Sequence, residues 1–599
     1  MLIVILLNLW AELPAVAGTT GTITGTVTDA DTGTPIVGVK VTAASGSGAA
    51  STQTNRVGFY SLQALIPDSY TLTFKTDGYD VAETAGVTVN QDQITIVDRT
   101  LHKTVQTLGV VHTVAQSNLV QPKTGTDVYN ITGNHLAAAS GGDSLQKTLY
   151  QYTATVPGLA PIGGGFPAEP SIRGGQDTDN GYEFDGIPIT ERILGFYTTN
   201  LSNTGISNLE VYTGGLTAGA AANGTGVINS VVKVGRYPEF GLVSFGFTSP
   251  YFNHFLGLEY GGASPNGRFS YYAAFNGENS ENGYNYGEAS YPNLVYSGSG
   301  VSSTNAGPVA ARDVVANFHY KTDPNDDYQF MYENSLFDQS NNYLLFSATP
   351  GAPLLQMRPC QGAIADPSDS FGSFGQGGVA PNGKPCPAGL WEQALPNGGG
   401  VVTAHYGALG KLQWNHIIGD HSSFSVRLAE NFNQYIFAQT LTDPNNPGYE
   451  TPVGGCPPLP YPANSPAISV GGSLCTHDSG DYYQDRNSRM YIAAFDYTTT
   501  PSANLTLKAG LGQEYDQNYR GVFNLASFNP NTGGWPGMAF YGSLSDIPTH
   551  IPYVYLQATI NTRHFTFEPG VRYQREWYGL PSIPNTQFAN NHSISVGVW

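Results

Sequence analysis

A chain of 599 residues is too long for one ordinary domain, so two to four units are expected. Its 25 Lys and Arg stand against 45 Asp and Glu, a formal net charge of −20, and that balance argues against nucleic acid, whose phosphates need a basic footprint. Charged residues make up only 12%, about half the soluble norm, while 73 Gly and 37 Tyr suit a β-protein whose surface is partly apolar without long apolar runs.

The first 17 residues read as a secretory signal: the apolar run Leu2 to Trp10 precedes a small-x-small site, Ala15-Val16-Ala17, although the usual basic start is missing. The run is too short to cross hydrocarbon as a helix. No cysteine follows the cut, which argues against a lipid anchor there, and no other apolar run is long enough to span. An exported chain of this kind enters a membrane only as a closed β-barrel.

Residues 18–104 alternate apolar and polar positions, punctuated by Asp31-Thr32-Gly33 and Pro35. Six or seven short strands are expected at the spacing of an Ig-like or transthyretin-like β-sandwich. Val27, Val39, Val41, Phe59, Tyr60, Leu62, Leu65, Tyr70, Leu72 and Phe74 are its candidate core. Through "GTVTDADTGTPIVGVKV", "GFYSLQAL" and "PDSYTLTF" the segment resembles the carboxypeptidase regulatory-like domain, with Pro67-Asp68-Ser69 where Pro-Gly is more usual before the tyrosine. The His/Glu sets of zinc peptidases do not occur, so an accessory module is expected.

Residues 105–236 open with "GGDSLQKTLYQYTATVPGLAPIGGG". Gly-Asp-Ser-Leu at 142–145 matches the nucleophile block of one esterase group over four residues only, with no recognisable Ser/His/Asp arrangement. The blander reading is a short helix capped by Asp143 or Ser144, with Leu145 and Leu149 on one face and Pro157-Gly158 stopping it. "SIRGGQDTDNGYEFDGIPIT" follows, then "ISNLEVYTGGLTAGAAANGTGVINSVVKVG". In this order these motifs resemble the plug domain of TonB-dependent outer-membrane receptors, and with the preceding sandwich the Oar-like subgroup. Phe184 and Ser230 are small departures.

Residues 237–599 carry two-residue alternation over stretches of about ten residues, the weak signature of an outer-membrane barrel strand. Phe565, Phe567, Val571 and Tyr573, for example, oppose Thr566, Glu568, Arg572 and Gln574. Tight turns at Thr322–Asp326, Ile418–Ser422, Thr500–Asn504 and Asn561–His564 alternate with long excursions near 277–309, 340–404, 435–486 and 516–548, the periplasmic-turn and extracellular-loop asymmetry of barrels. Tyr271-Tyr272, Tyr553 and Tyr555 suit aromatic girdles. Twelve strands are expected, too few to enclose a folded domain, since barrels with such plugs have about 22. The barrel is therefore expected to be incomplete, with its last strands beyond Trp599. Cys360, Cys386, Cys456 and Cys475 all fall in long loops, and export favours disulfides Cys360–Cys386 and Cys456–Cys475 over zinc, for which the spacing is wrong.

The plug resemblance implies a transporter that takes a scarce or large substrate (glycan, peptide or metal chelate) from outside. It also implies that the inner-membrane TonB complex grips a segment of the chain by strand addition. Gln106 to Gln116 is the candidate segment, with Leu108, Val110 and Val111 as contacts; a plain linker strand is the alternative. Arg173 is expected to pair with a wall carboxylate such as Glu514 or Glu568. Gly174, Gly175 and Gly186 would permit tight turns, and Asp185 would be a turn residue. The interface is expected to be polar and wet. Outer-membrane lipid and an extracellular substrate complete the expected partners, with no cofactor, metal, catalysis or nucleic acid. Phe371, Phe374, Trp391, Tyr435, Tyr449 and Tyr461 are candidates for stacking on sugars, or ordinary loop anchors. The rival assignment is a surface adhesin or carbohydrate-binding β-protein without transport.

Overall fold

The computed structural model describes residues 19–104, 112–115, 125–133, 135–136, 156–161, 170–175, 179–190, 205–220, 225–248, 253–280, 309–341, 401–439, 469–470, 473–474, 482–524, 544–562, 564–579 and 587–597. The expected signal peptide, the helix from Asp143, all four cysteines, and Leu108, Val110 and Val111 lie outside them.

The N-terminal unit is a sandwich of two sheets. Its strands are β1 (Gly21–Asp29), β2 (Lys40–Ser45), β3 (Gly48–Gln53), β4 (Phe59–Leu65), β5 (Asp68–Lys75), β6 (Ala82–Val89), β7 (Ile94–Ile96) and β8 (Arg99–Leu101). In one sheet β1 lies between β4, antiparallel, and β7 and β8, both parallel. The other runs β3-β2-β5-β6-β9, where β9 (His112–Ala115) adds parallel to β6. All ten candidate core residues are buried, and nine of them share one cluster between the sheets. The tenth, Phe59, leaves the cluster for a physical reason. Strand alternation sends Tyr60 and Leu62 inward and turns Phe59, Ser61 and Gln63 to the other face, which is itself covered: Phe59 lies 5.5 Å from the His421 ring of a barrel turn.

The second unit is a five-stranded sheet of β10 (Asp127–Thr132), β13 (Asn180–Phe184), β14 (Ile187–Pro188), β15 (Ile206–Gly214) and β16 (Gly226–Val232), ordered β10-β15-β16-β13-β14. A small ribbon, β11 (Leu159–Pro161) with β12 (Pro170–Ile172), accompanies it. Strands β13 and β16 are buried along their whole length, so this sheet is covered on both faces.

The third unit is one long antiparallel sheet. It comprises β17 (Phe240–Thr248), β18 (Asn253–Ala263), β19 (Phe269–Ser280), β20 (Val309–Asp323), β21 (Asp326–Asn341), β22 (Val401–Ile418) and β23 (Ser422–Gln439). After a two-stranded ribbon, β24 (Ser469–Val470) and β25 (Ser473–Leu474), come β26 (Tyr482–Ser502), β27 (Leu505–Asn524), β28 (Leu544–His550), β29 (Tyr553–Asn561), β30 (Thr566–Phe567), β31 (Gly570–Gly579) and β32 (Gln587–Gly597). Both β28 and β29 pair with β27, and both β30 and β31 pair with β29. Each pair is one strand interrupted at Pro552 or Pro569, where the backbone has no N–H to give the ladder. The fourteen segments are thus twelve strands. Among the described residues β17 pairs only with β18 and β32 only with β31, so the sheet is open.

Alternation sorts the two faces. Leu256, Leu258, Phe330, Tyr332, Leu412, Leu428, Leu511, Val554, Leu556 and Val571 are exposed outward; Glu259, Gln329, Lys411, Gln413, Arg427, Asp496, Lys508 and Arg572 point the other way and are buried. A polar face that is buried must be covered by something polar, and what covers it is the plug sheet and the sandwich. Near the short turns, Phe269, Tyr320, Tyr328 and Trp414 lie opposite one another on successive strands, with the Tyr328 and Trp414 rings stacked at 5.9 Å, an aromatic girdle.

Truncating Phe74, buried between the sandwich sheets, to Ala is expected to lower the sandwich's unfolding free energy by about 3–5 kcal/mol. Denaturant titration of the whole chain, followed by protease cleavage within residues 19–104, checks this.

Candidate functional site

The Arg173-Gly174 turn follows β12 with both residues at positive φ, 50° and 80°. A Cβ on Gly175 would meet Thr225 Cγ2 at 2.1 Å, so the chain approaches β16 here as only glycine allows. The Arg173 guanidinium donates to Asp127 Oδ2 at 2.5 Å and to Thr213 Oγ1 at 3.3 Å. The expectation of a wall carboxylate for Arg173 is thereby corrected: its partner lies within the plug, on β10. The shorter path wins because β10 and β15 bring an acid and a hydroxyl alongside the turn, and the pair stays half-exposed. Of the two candidate wall acids, Glu568 does reach the plug, accepting the Gly125 N–H at 3.1 Å, while Glu514 is buried in the wall.

The Asp185-Gly186 turn joins β13 to β14 with φ values of 49° and 74°, the consecutive positive pair that a two-residue hairpin demands. Asp185 is more than a turn residue. Its carboxylate takes Lys411 Nζ of the wall, Gln329 Nε2 at 2.9 Å and the Val232 N–H at 3.3 Å, and Lys411 Nζ also donates to the Asp185 carbonyl at 3.0 Å. Burial alone would push this carboxyl up, but Lys411 and the hydrogen bonds outweigh it and hold the group below its ordinary value. Gly186 has no room for a side chain: a Cβ would lie 2.4 Å from Thr19 Cγ2 and 3.0 Å from Gln91 Oε1, both from the sandwich.

A second anchor sits at Asp92, in the turn between β6 and β7, where φ is 52°. Its carboxylate accepts from Lys508 Nζ of the wall at 2.8 Å and from Thr217 Oγ1 of the plug at 2.5 Å. The plug turn after Thr217 is held further by the wall: Gln557 Oε1 accepts the Ala218 N–H at 2.8 Å, and Arg572 donates to the carbonyls of Ala218 (3.3 Å) and Gly219 (3.2 Å). The sandwich seats itself on the same mouth. Thr19 donates to Gln413 (2.7 Å), Gln63 to Thr500 (2.9 Å), and Thr500 to Ser61 (2.9 Å).

The interface is not wholly wet, which corrects a second expectation. The plug's apolar core, including Phe184, Ile187, Leu209 and Ile228, runs without a break into wall residues Tyr272, Val315, Met331, Leu409, Met490 and Ile492, all buried. Sequence reasoning placed Arg572 on the polar face of its strand but found neither its partners nor the roles of Lys411, Gln91 and Asp92. The usable signal was scarcity: in a chain with only 25 Lys and Arg, a cation at an inward strand position must meet an acid or a carbonyl.

A folded plug anchored on the buried polar face of an antiparallel sheet whose other face is apolar and exposed has the architecture of a plugged outer-membrane β-barrel. Residues 22–102 match the carboxypeptidase regulatory-like domain family. Over 234 residues, 38% of this chain and 22% of the relative, the sequence is 24% identical to the TonB-dependent transporter Oar of Myxococcus xanthus. The ferripyoverdine receptor of the Pseudomonas aeruginosa outer membrane, solved with ferripyoverdine, superposes with a TM-score of 0.50 at 13% identity, covering 80% of this chain and 55% of that one. The P. aeruginosa FpvA complex with a heterologous pyoverdine gives 0.50 at 15% identity, with 80% and 55% covered. The chain thus spans just over half the length of these solved receptors. It has the fold of the TonB-dependent outer-membrane receptors, preceded by a regulatory-like sandwich.

Replacing Lys411 with Met leaves Asp185 buried and uncompensated, and is expected to cost about 3–5 kcal/mol of plug docking. Adding Asp185→Asn is expected to recover most of that loss. Denaturant-dependent protease access to the plug, compared among wild type, single and double variants, checks both.

Proposed function

We propose that the chain is the sandwich, plug and partial barrel wall of an energy-coupled importer, which admits a scarce or large extracellular substrate by remodelling its plug. The observation that carries this is the mode of anchoring. The plug is held to the wall at separate polar points, Asp185–Lys411 and the Ala218–Gly219 turn on Arg572 and Gln557, and indirectly through the sandwich, whose Asp92 takes both Thr217 of the plug and Lys508 of the wall. Directional contacts of this kind break one at a time when pulled, whereas the apolar patch at Met331 and Leu409 fixes the resting position. A surface adhesin built of independent β-domains has no use for a domain bound inside a sheet's polar face.

The energy would come from the inner-membrane TonB complex. Strand addition by the Gln106 to Gln116 segment fits the behaviour of its last part, since His112–Ala115 already extends the sandwich sheet beside β6. The substrate falls among glycans, peptides and metal chelates; the ferripyoverdine that the compared receptor was solved with is a chelate of that last class. The protein performs no covalent chemistry in this reading, and outer-membrane lipid is its surrounding partner.

A tether tests it. A Cβ on Gly570 would lie 3.0 Å from Ala218 Cβ, close enough for a disulfide after a small adjustment. In cells making the full-length protein, Ala218→Cys with Gly570→Cys is expected to abolish energy-dependent uptake of whichever ferric chelate, oligopeptide or oligosaccharide wild-type cells take up from a mixed panel, and reduction is expected to restore it. Uptake unaffected by the closed tether, or no energy-dependent uptake by wild type, contradicts the proposal.

A further inference from the structure

One rung of the plug sheet carries four polar side chains side by side: Asn130 on β10, Glu210 on β15, Asn229 on β16 and Glu183 on β13. Both glutamates are buried. What covers the rung is the sandwich turn Asn90-Gln91-Asp92-Gln93. Asn130 Nδ2 donates to Asn90 Oδ1 at 2.9 Å. Gln91 reaches both acids, its backbone N–H donating to Glu210 Oε1 (2.9 Å) and its side-chain amide to Glu183 Oε2 (2.9 Å). Asn229 spends its two amide hydrogens on Gln91 Oε1 (2.7 Å) and Glu210 Oε2 (3.0 Å), and its oxygen accepts the Gly186 N–H at 3.0 Å.

Tyr212 links Glu210 to the turn. Its hydroxyl lies 2.9 Å from the Gln91 carbonyl and 3.0 Å from Glu210 Oε2. A phenol has one hydrogen, and the carbonyl is only an acceptor. With Glu210 ionised, the one phenol hydrogen is shared between Oε2 and the Gln91 carbonyl; with Glu210 neutral, two full hydrogen bonds form, Oε2–H to the Tyr212 oxygen and Tyr212 to Gln91. The shared bond to an ionised Glu210 holds the turn less firmly than the two bonds of the neutral acid.

We propose that the Asn90–Gln93 turn is a proton-held latch of the sandwich on the plug: it is closed while Glu210 is a neutral acid, and ionisation of Glu210 and Glu183 as pH rises, with the protons passing to water, frees the turn. Burial pushes both carboxyls up to about 7, Glu183 against the opposing pull of Gln91 and Arg427, and Glu210, helped by the neighbouring Glu183, against that of Asn229, Gln91 and Tyr212. The other charges around the rung are Asp92, with its Lys508, which adds to the upward push on Glu183; Asp496, paired with Arg427; and Asp185, paired with Lys411 at the end of the same hairpin. Because the closed-latch values lie above the ordinary 4.5, the closed form's advantage is complete below that pH and is lost as pH rises through about 7. The inference concerns the resting contact between sandwich and plug and does not depend on transport.

Hydrogen–deuterium exchange of the full-length protein in outer-membrane lipid, corrected for the intrinsic chemistry of exchange, reads the latch directly. Protection of residues 90–93 is expected to fall by about tenfold or more between about pH 5 and pH 8 in wild type, to respond less in Glu210→Gln, and to be pH-independent in Glu210→Gln with Glu183→Gln. The infrared carbonyl band of a buried neutral carboxylic acid should be present in wild type at the lower pH, vanish at the higher, and weaken in Glu210→Gln. Glu183→Gln alone serves if Glu210→Gln does not fold, and is likewise expected to reduce the pH response. Wild-type protection that is the same at both pH values, or a double variant that keeps the wild-type response, overturns the proposal.

Discussion

Everything in this molecule turns on a constraint of the wall. Strand alternation that turns an apolar face outward sends Lys411, Lys508, Arg427 and Arg572 to the other face, where they are buried. Buried cations without partners are far too costly to keep. The carboxylates of Asp185 and Asp92, the carbonyls of Ala218 and Gly219, and Asp496 of the wall itself answer them. Plug and sandwich are therefore required by the lumen's charge, since they complete its hydrogen bonding.

The two anchors come from different domains. Asp185 belongs to the plug and Asp92 to the sandwich, yet each meets a wall lysine, and Thr217 of the plug shares the Asp92 carboxylate. The sandwich is thus a structural part of the seal, which explains why strand β4 is buried on both faces: Tyr60 and Leu62 fill its own core, while Ser61 and Gln63 bond to Thr500 at the barrel mouth. A free-standing module would leave that second face to water.

Local periodicity was enough to read the sandwich core, the twelve wall strands and their two faces, because each of these is set within a few residues of chain. The Asp-Gly hairpin was equally legible as a turn. What the sequence hid was every partnership between distant residues. Arg173 was read as a wall contact because a conspicuous arginine invites a distant acid, whereas β10 supplied Asp127 from nearby. Gln91 and Asp92 stand in a short polar stretch between strands, and nothing local marks a loop that will be wedged between two other domains. The apolar continuity from Phe184 to Met331 was missed for the same reason, since inward-facing Met and Leu are sparse among polar neighbours.

The most direct test of this account is an experimental density map of the full-length protein in a lipid nanodisc, at a resolution that shows side chains. The account predicts the Asp185–Gly186 turn seated against Lys411 on the inner face of the sheet, with the sandwich turn at Asp92 reaching Lys508 on the short-turn side. Density placing residues 125–236 as a separate globule outside the curved sheet would contradict it.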